Sequence, residues 1–171
     1  MNVSELQSSE YHIYYKPYIE ILGDVRLMEE LERGSFDFIE VVSSIPEASF
    51  QKTYQSGKWT IAELLMHILD TERIFQYRAL RFARNDATEL PGFEQDVLIT
   101  YSNANKRKKE DIKVEYQMIR GSTLTLYKHL SKEDLLRKGI ASNSPISVRA
   151  LGFLICGHQK HHLKILQERY L

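Results

Sequence analysis

Three histidines fall within five positions of the stretch GHQKHHLKIL, residues 157–166. Imidazole is a poor core filler and a middling helix former, so such a tract asks for a ligand or for polar partners. His158 and His162 stand four residues apart, one helical turn, which lets both rings offer nitrogens to a single metal ion. On a helical wheel at about 100° per residue, Leu151, Leu154, Ile155 and Ile165 fall within about 60° of His158, and His162 lies about 40° away inside the same apolar arc. His161 falls about 60° to the other side.

A catalytic metal site needs a third protein ligand and leaves one coordination position open. The remaining histidines are His12, His67 and His129. His12 lies in the N-terminal tract, and His129 follows Lys128 near a helix end, where a positive ring favours the dipole. His67, in ELLMHILD, sits at the edge of an apolar arc, on the side shared by Leu64 and Ile74. At about 1.5 Å per residue, His67 lies roughly 10 Å from the start of its helix, and His162 and His158 roughly 12 and 18 Å from the end of theirs. If those helices are antiparallel, the three rings can meet at similar depth, and a parallel pair would also bring them close, so the levels permit the site without fixing the topology. The candidate metal ligands are therefore His67, His158 and His162. The competing reading is a set of core or rim histidines satisfied by polar neighbours, each unsatisfied one costing about 1–3 kcal/mol. Asp70 sits about 60° from His67 on the wheel and is expected at the surface or supporting a ring from outside the ligand set.

Other chemistries lack their residues. A di-iron carboxylate bundle wants paired ExxH motifs, which are absent. A metalloprotease wants HExxH, and Gln159 stands where the general base would be. Ser-His-Asp chemistry has no local support. Cys156, the only cysteine, excludes an internal disulfide, fits a reducing compartment and reads as a buried, inert thiol.

Four helical segments must position these histidines. The first runs from about Asp24 to Ile45, with apolar residues at steps of three and four and Pro46 after its end. The second opens at TIAE, where Thr60 and Glu63 form a capping box, and ends near NDAT at 85–88. The third covers about Lys108 to Leu130, followed by a short capped turn at SKEDL, 131–135. The fourth begins after Pro145 with Ser147 as cap and runs to the C-terminus. No alternating strand pattern competes, so the expected fold is all-α: a four-helix bundle formed by one domain over residues 1–171. The connection from about Asn85 to Arg107 is long enough to cross the bundle, so the second and third helices run parallel, giving up-down-down-up. LPGFEQD, 90–96, within it is a candidate pocket rim, with Trp59 and Phe93 as candidate mouth residues more readily explained by packing. Arg149 is expected to pair with a surface carboxylate.

Lys plus Arg and Asp plus Glu are equal at 23 each, and KRKK at 106–109 is followed directly by Glu110 and Asp111. Without a clustered positive footprint nucleic acid is not an expected partner, and the KRKK run reads as a solvated loop and helix start. No apolar run approaches bilayer-spanning length and the N-terminus lacks a signal-peptide core, so the expected location is cytoplasmic, with no membrane partner.

Three blocks together resemble the DinB/YfiT-like superfamily: GKWTIAELLMHILDTERIFQYRALRFARND at 57–86, LPGFEQD at 90–96 and SVRALGFLICGHQKHHLKILQERYL at 147–171. The resemblance implies an up-down-down-up bundle, often a homodimer, in which one histidine of helix two and an HxxxH pair of helix four hold a divalent metal. Those positions are His67, His158 and His162 here. Neutral nitrogen ligands suit zinc, nickel, copper or iron, and zinc or nickel is the expected ion. Relatives of this kind include bacillithiol S-transferases and a mycothiol-dependent isomerase. The resemblance therefore implies a metal-dependent transfer of a low-molecular-weight thiol to a small electrophile. Three neutral imidazoles leave a divalent ion its charge, which stabilises a thiolate and equally lowers the pKa of water. Metal-dependent hydrolysis and a non-catalytic, stress-response metal-binding bundle are the alternatives.

Overall fold

The structure, a computed structural model, describes residues 1–171. Its helices are α1 (Lys16–Glu20), α2 (Leu27–Ser44), α3 (Ile61–Ala83), α4 (Gln95–Thr100), α5 (Lys109–Lys128), α6 (Lys132–Leu136) and α7 (Val148–Arg169). A small antiparallel hairpin, β1 (Lys138–Ala141) and β2 (Ser144–Ser147), leads into α7.

The caps fall where the sequence places them. Thr60 Oγ1 accepts from the Glu63 amide while the Glu63 carboxylate accepts from the Thr60 amide. Ser131 and Asp134 form the same box at α6, and Ser147 accepts from the Ala150 amide at the start of α7. Each satisfies amide donors that the first turn of a helix leaves without partners.

Side-chain pairs fix the bundle topology. Gly34 of α2 meets Gln159 of α7 and Leu27 meets Gly152, so those helices run parallel. Lys109 reaches the Ile45 carbonyl while Arg120 reaches that of Leu31, so α5 runs opposite to α2. Gln76 bonds Ser122 and Thr60 bonds Asn105, which sets α3 parallel to α5. Tyr170 donates to the Trp59 carbonyl while His158 meets His67, so α3 and α7 are antiparallel. The result is the up-down-down-up bundle with a long crossover between α3 and α5. Lys106 lies in a 3-10 turn, and Lys108 and Lys109 begin α5, in keeping with KRKK as loop and helix start.

Two features depart from the sequence reading. The hairpin was not expected, because its two central residues are Ser142 and Asn143, with φ of 52° and 60°, and not the Asn-Gly pair that announces such a turn. The N-terminal tract, which carries no periodicity, forms three 3-10 turns and α1. It is fastened by Arg149, which donates to both carboxylate oxygens of Glu10 at 2.7 and 2.5 Å and to the Glu5 carbonyl at 2.8 Å. Arg149 thus pairs with a buried carboxylate, not a surface one, because the folded-back tract covers the start of α7.

The interior divides into two apolar clusters with a polar layer between them. On each long helix the polar member falls between residues of the two clusters: Gly34 between Leu31 and Phe38, Glu72 between Leu69 and Phe75, Arg120 and Thr123 between Ile119 and Tyr127, Gln159 between Cys156 and Leu163. Arg120 donates to Glu72 Oε1 and Oε2, both at 2.8 Å, to Gln159 Oε1 at 2.7 Å and to the Leu31 carbonyl at 3.0 Å. Gln159 Nε2 donates to the Gly34 carbonyl at 2.7 Å, and Tyr116 Oη lies 2.9 Å from the same oxygen. A Cβ at Gly34 would come within 2.9 Å of Arg120 Nη1 and 3.1 Å of Gln159 Nε2, so a larger residue there would push on two side chains of this layer. Burial alone would lower the Arg120 pKa, and the Glu72 carboxylate more than reverses this. All four bundle helices are thereby tied together one residue away from His158.

Candidate metal centre

The antiparallel pairing of α3 and α7 brings His67, His158 and His162 together. One ring nitrogen from each lies within 4.8 Å of those of the others. His67 Nε2 and His158 Nε2 are 2.9 Å apart, and the ring centroids of the three are 4.4–4.8 Å from one another. His67 and His158 are buried, His162 half-buried. His162 Nδ1 is a buried nitrogen with no hydrogen-bond partner, although a buried polar atom left unpaired costs about 1–3 kcal/mol.

The rings are held by packing and by one weak polar contact. Trp59 packs on the His67 ring at 4.7 Å between centroids, and Tyr18 and Phe75 flank His158 at 5.6 and 6.2 Å. The Thr71 hydroxyl lies 3.4 Å from His67 Nδ1, one turn along α3. If Nδ1–H donates to Thr71, the Nε2 lone pair faces the other imidazoles, the tautomer a metal ligand needs. Gly157 makes room for this packing: a Cβ there would fall 1.8 Å from the Tyr18 carbonyl oxygen.

Electrostatics keep the cluster neutral. Burial pushes the His67 imidazole down to about 4, slightly opposed by Asp96. Burial pushes His162 down to about 3, helped by the neighbouring His67 and His161, and His158 falls well below its ordinary value for the same reasons. Neutral imidazoles are the form that binds metal. The same shifts predict how acid acts on the metal-free protein. A histidine with a depressed folded pKa binds more protons when unfolded, so its stability contribution is intact above about pH 6.5 and is lost as pH falls toward the folded value. Urea titrations of metal-free protein between pH 7 and 4 should show unfolding free energy falling by on the order of 3 kcal/mol from His67 alone, at about 1.4 kcal/mol per pKa unit. A flat profile over that range would remove the basis for a desolvated cluster.

A cavity of about 370 Å³ opens above the imidazoles, with His67 and His158 in its floor and Tyr14, Phe93, Glu94 and Asp96 among its walls. Arg78 backs one of its walls: it is buried, donates to the Pro91 carbonyl at 2.8 Å and to Ser142 Oγ at 3.0 Å, and lies over the rings of Phe75 and Phe93. The crossover loop and the hairpin are thus both tied to α3 through one guanidinium.

The other sequence candidates lie elsewhere or act indirectly. Asp70 pairs with Arg73 at 3.3 Å and does not join the imidazoles. His12 Nδ1 accepts from the Tyr14 amide, and His129 ends α5. His161 packs edge-on against Tyr18 and His162, each at 5.1 Å between centroids. Cys156 is buried and its thiol is pushed up to about 12, so it is inert. Phe93 does line the cavity, while Trp59 supports it from behind His67. The sequence reading missed Tyr14, Tyr15, Tyr18 and Arg78. The aromatic density of YHIYYKPY at 11–18 was the one signal that could have pointed to the first three.

Residues 30–166 match the profile of the DinB superfamily. A protein of Oceanobacillus iheyensis, described as a candidate metal-dependent hydrolase, is 29% identical over 138 residues, covering 80% of this chain and 79% of its own length. YfiT from Bacillus subtilis, described as a candidate metal-dependent hydrolase with an unusual four-helix bundle topology, superposes with a TM-score of 0.73 at 14% identity, covering 96% of this chain and 90% of YfiT. At that identity the likeness shows a shared fold.

Proposed function

This chain belongs to the DinB superfamily, and on that premise we propose that it is a divalent-metal-dependent enzyme with His67, His158 and His162 as the ligands. The observation that carries the proposal is the convergence of three neutral, desolvated imidazoles, one with an orphaned ring nitrogen, beneath an open cavity. Left without an ion, such a cluster is a cost to the fold; three nitrogen donors with one side accessible are the donor set of a catalytic site. A divalent ion there supplies a Lewis acid that stabilises a thiolate or lowers the pKa of water.

We assign the nucleophile as a low-molecular-weight thiol and the reaction as its transfer to a small electrophile. A thiol starts from a pKa near 8.5 and needs little help to ionise. Amide hydrolysis additionally needs a group that gives a proton to the departing nitrogen, and the only carboxylates lining the cavity, Glu94 and Asp96, stand exposed at its mouth. In this reading Thr71 orients the His67 ring, Trp59 keeps water from the back of His67, Phe75 walls the cavity beside His158, and Arg78 holds the loop that shapes the substrate side. Hydrolysis is the second reading, favoured by the descriptions of both relatives.

Zinc- and nickel-loaded protein, incubated with thiols and a panel of alkyl halides and epoxides, is expected to consume thiol and electrophile one for one, with no turnover after chelation. Ester or amide hydrolysis without thiol consumption would replace the transferase reading with the hydrolase one.

A further inference from the structure

Above the imidazoles the cavity has an unusual combination of walls. One side is aromatic: Tyr14, Tyr15, Tyr18, Phe75 and Phe93. The first four form a connected edge-on set, with Tyr14 at 5.3 Å from Tyr15 and 6.4 Å from Tyr18, and Tyr15 at 6.2 Å from Phe75. The carboxylates of Glu94 and Asp96 also line the cavity, both exposed and neither engaged in an ion pair. No lysine or arginine lines the space. Arg78 stands behind this wall, bonded to Pro91 and Ser142 and lying over the Phe75 and Phe93 rings, so the aromatic groups left for a ligand are those of the three tyrosines.

We infer that the mouth of this cavity recognises a cationic ammonium group, so that the small molecule consumed at the centre carries a positively charged amine beside its reacting end. Aromatic faces carry negative quadrupole density and attract ammonium ions, most strongly where water is partly excluded. The two carboxylates add direct charge attraction, and no neighbouring cation competes for them. An anionic substrate would meet the opposite: two carboxylates at the entrance and no basic residue on the way to the imidazoles. The depth order is that of a two-ended ligand, with its reactive group at buried His67 and His158 and its amine at the exposed rim.

This inference rests on the proposed metal-dependent thiol chemistry, and its test separates the two. Zinc-loaded protein is titrated with three thiols of similar size, cysteamine, 2-mercaptoethanol and mercaptoacetate, by calorimetry and by the emission of Trp59, the single tryptophan, which packs on His67. The titrations are repeated with the Glu94→Gln/Asp96→Asn double variant. Differences in thiol acidity are common to both proteins, so the change in the affinity ratio reads the rim alone. The preference for cysteamine over mercaptoacetate is expected to fall by about tenfold or more in the variant, with zinc content unchanged. A ratio that does not move overturns the inference while leaving thiol chemistry in place. Bound zinc with no binding of any thiol overturns both.

Discussion

Replacing His158 by alanine is expected to remove divalent metal from the purified protein: close to one ion per chain by elemental analysis before the change, and near none after it. Losing a group that merely orients a metal-bound histidine costs about 10–100-fold in affinity, and losing a ligand itself should cost more. The fold should survive, because α7 is held by Leu151, Leu154 and Leu166 in the apolar clusters and by Gln159 in the polar layer. Circular dichroism should therefore remain helical, which separates metal loss from unfolding. Zinc should raise the melting temperature of the parent protein through its preference for the folded state, and this rise should vanish in the variant. Equal metal content in both proteins would count decisively against His158 as a ligand, and a parallel variant, His129→Ala at the exposed end of α5, should retain full occupancy.

Replacing Arg120 by methionine should have the largest effect on stability. Arg120 and Glu72 are both buried, and the substitution strands the carboxylate with only Thr123, 2.8 Å away, as a side-chain donor. Removing one member of a buried ion pair costs about 3–5 kcal/mol, because the remaining charge stays desolvated. For a chain of this size that corresponds to a fall in melting temperature of roughly 6–20 °C. A Glu72→Leu/Arg120→Met double variant, which removes both charges, should recover most of the loss. If the single variant melts with the parent, the layer is not the organising feature inferred from its bonds. Because Gln159 loses its Arg120 donor and adjoins His158, zinc affinity should weaken in the single variant even where it is fully folded.

The ligand pair was legible because it is local. HxxxH on an apolar stripe is fixed by the 3.6-residue period, and that period needs no knowledge of any other helix. His67 was legible from its depth, which comes close to that of His158 and His162 for either direction of the two helices; the structure decided that α3 and α7 are antiparallel. The helix starts at Thr60, Ser131 and Ser147 were equally plain, since a cap and its partner lie three residues apart.

The sequence by itself determined four amphipathic helices, their caps and a histidine pair on an inward face. Tertiary structure decided how the site is walled. Tyr14 and Tyr18 are brought to the cavity by a segment that Glu10 fastens to Arg149 across 139 positions and that packs on Gly157, and the polar layer joins Gly34 to Gln159 across 125. A polar residue on an apolar arc looks alike whether it ends at the solvent edge or in a buried network; its partners, drawn from other helices, make the difference. Local preferences depend on neighbours a few residues away, whereas the identity of a long-range partner is set by which surfaces the whole chain brings together.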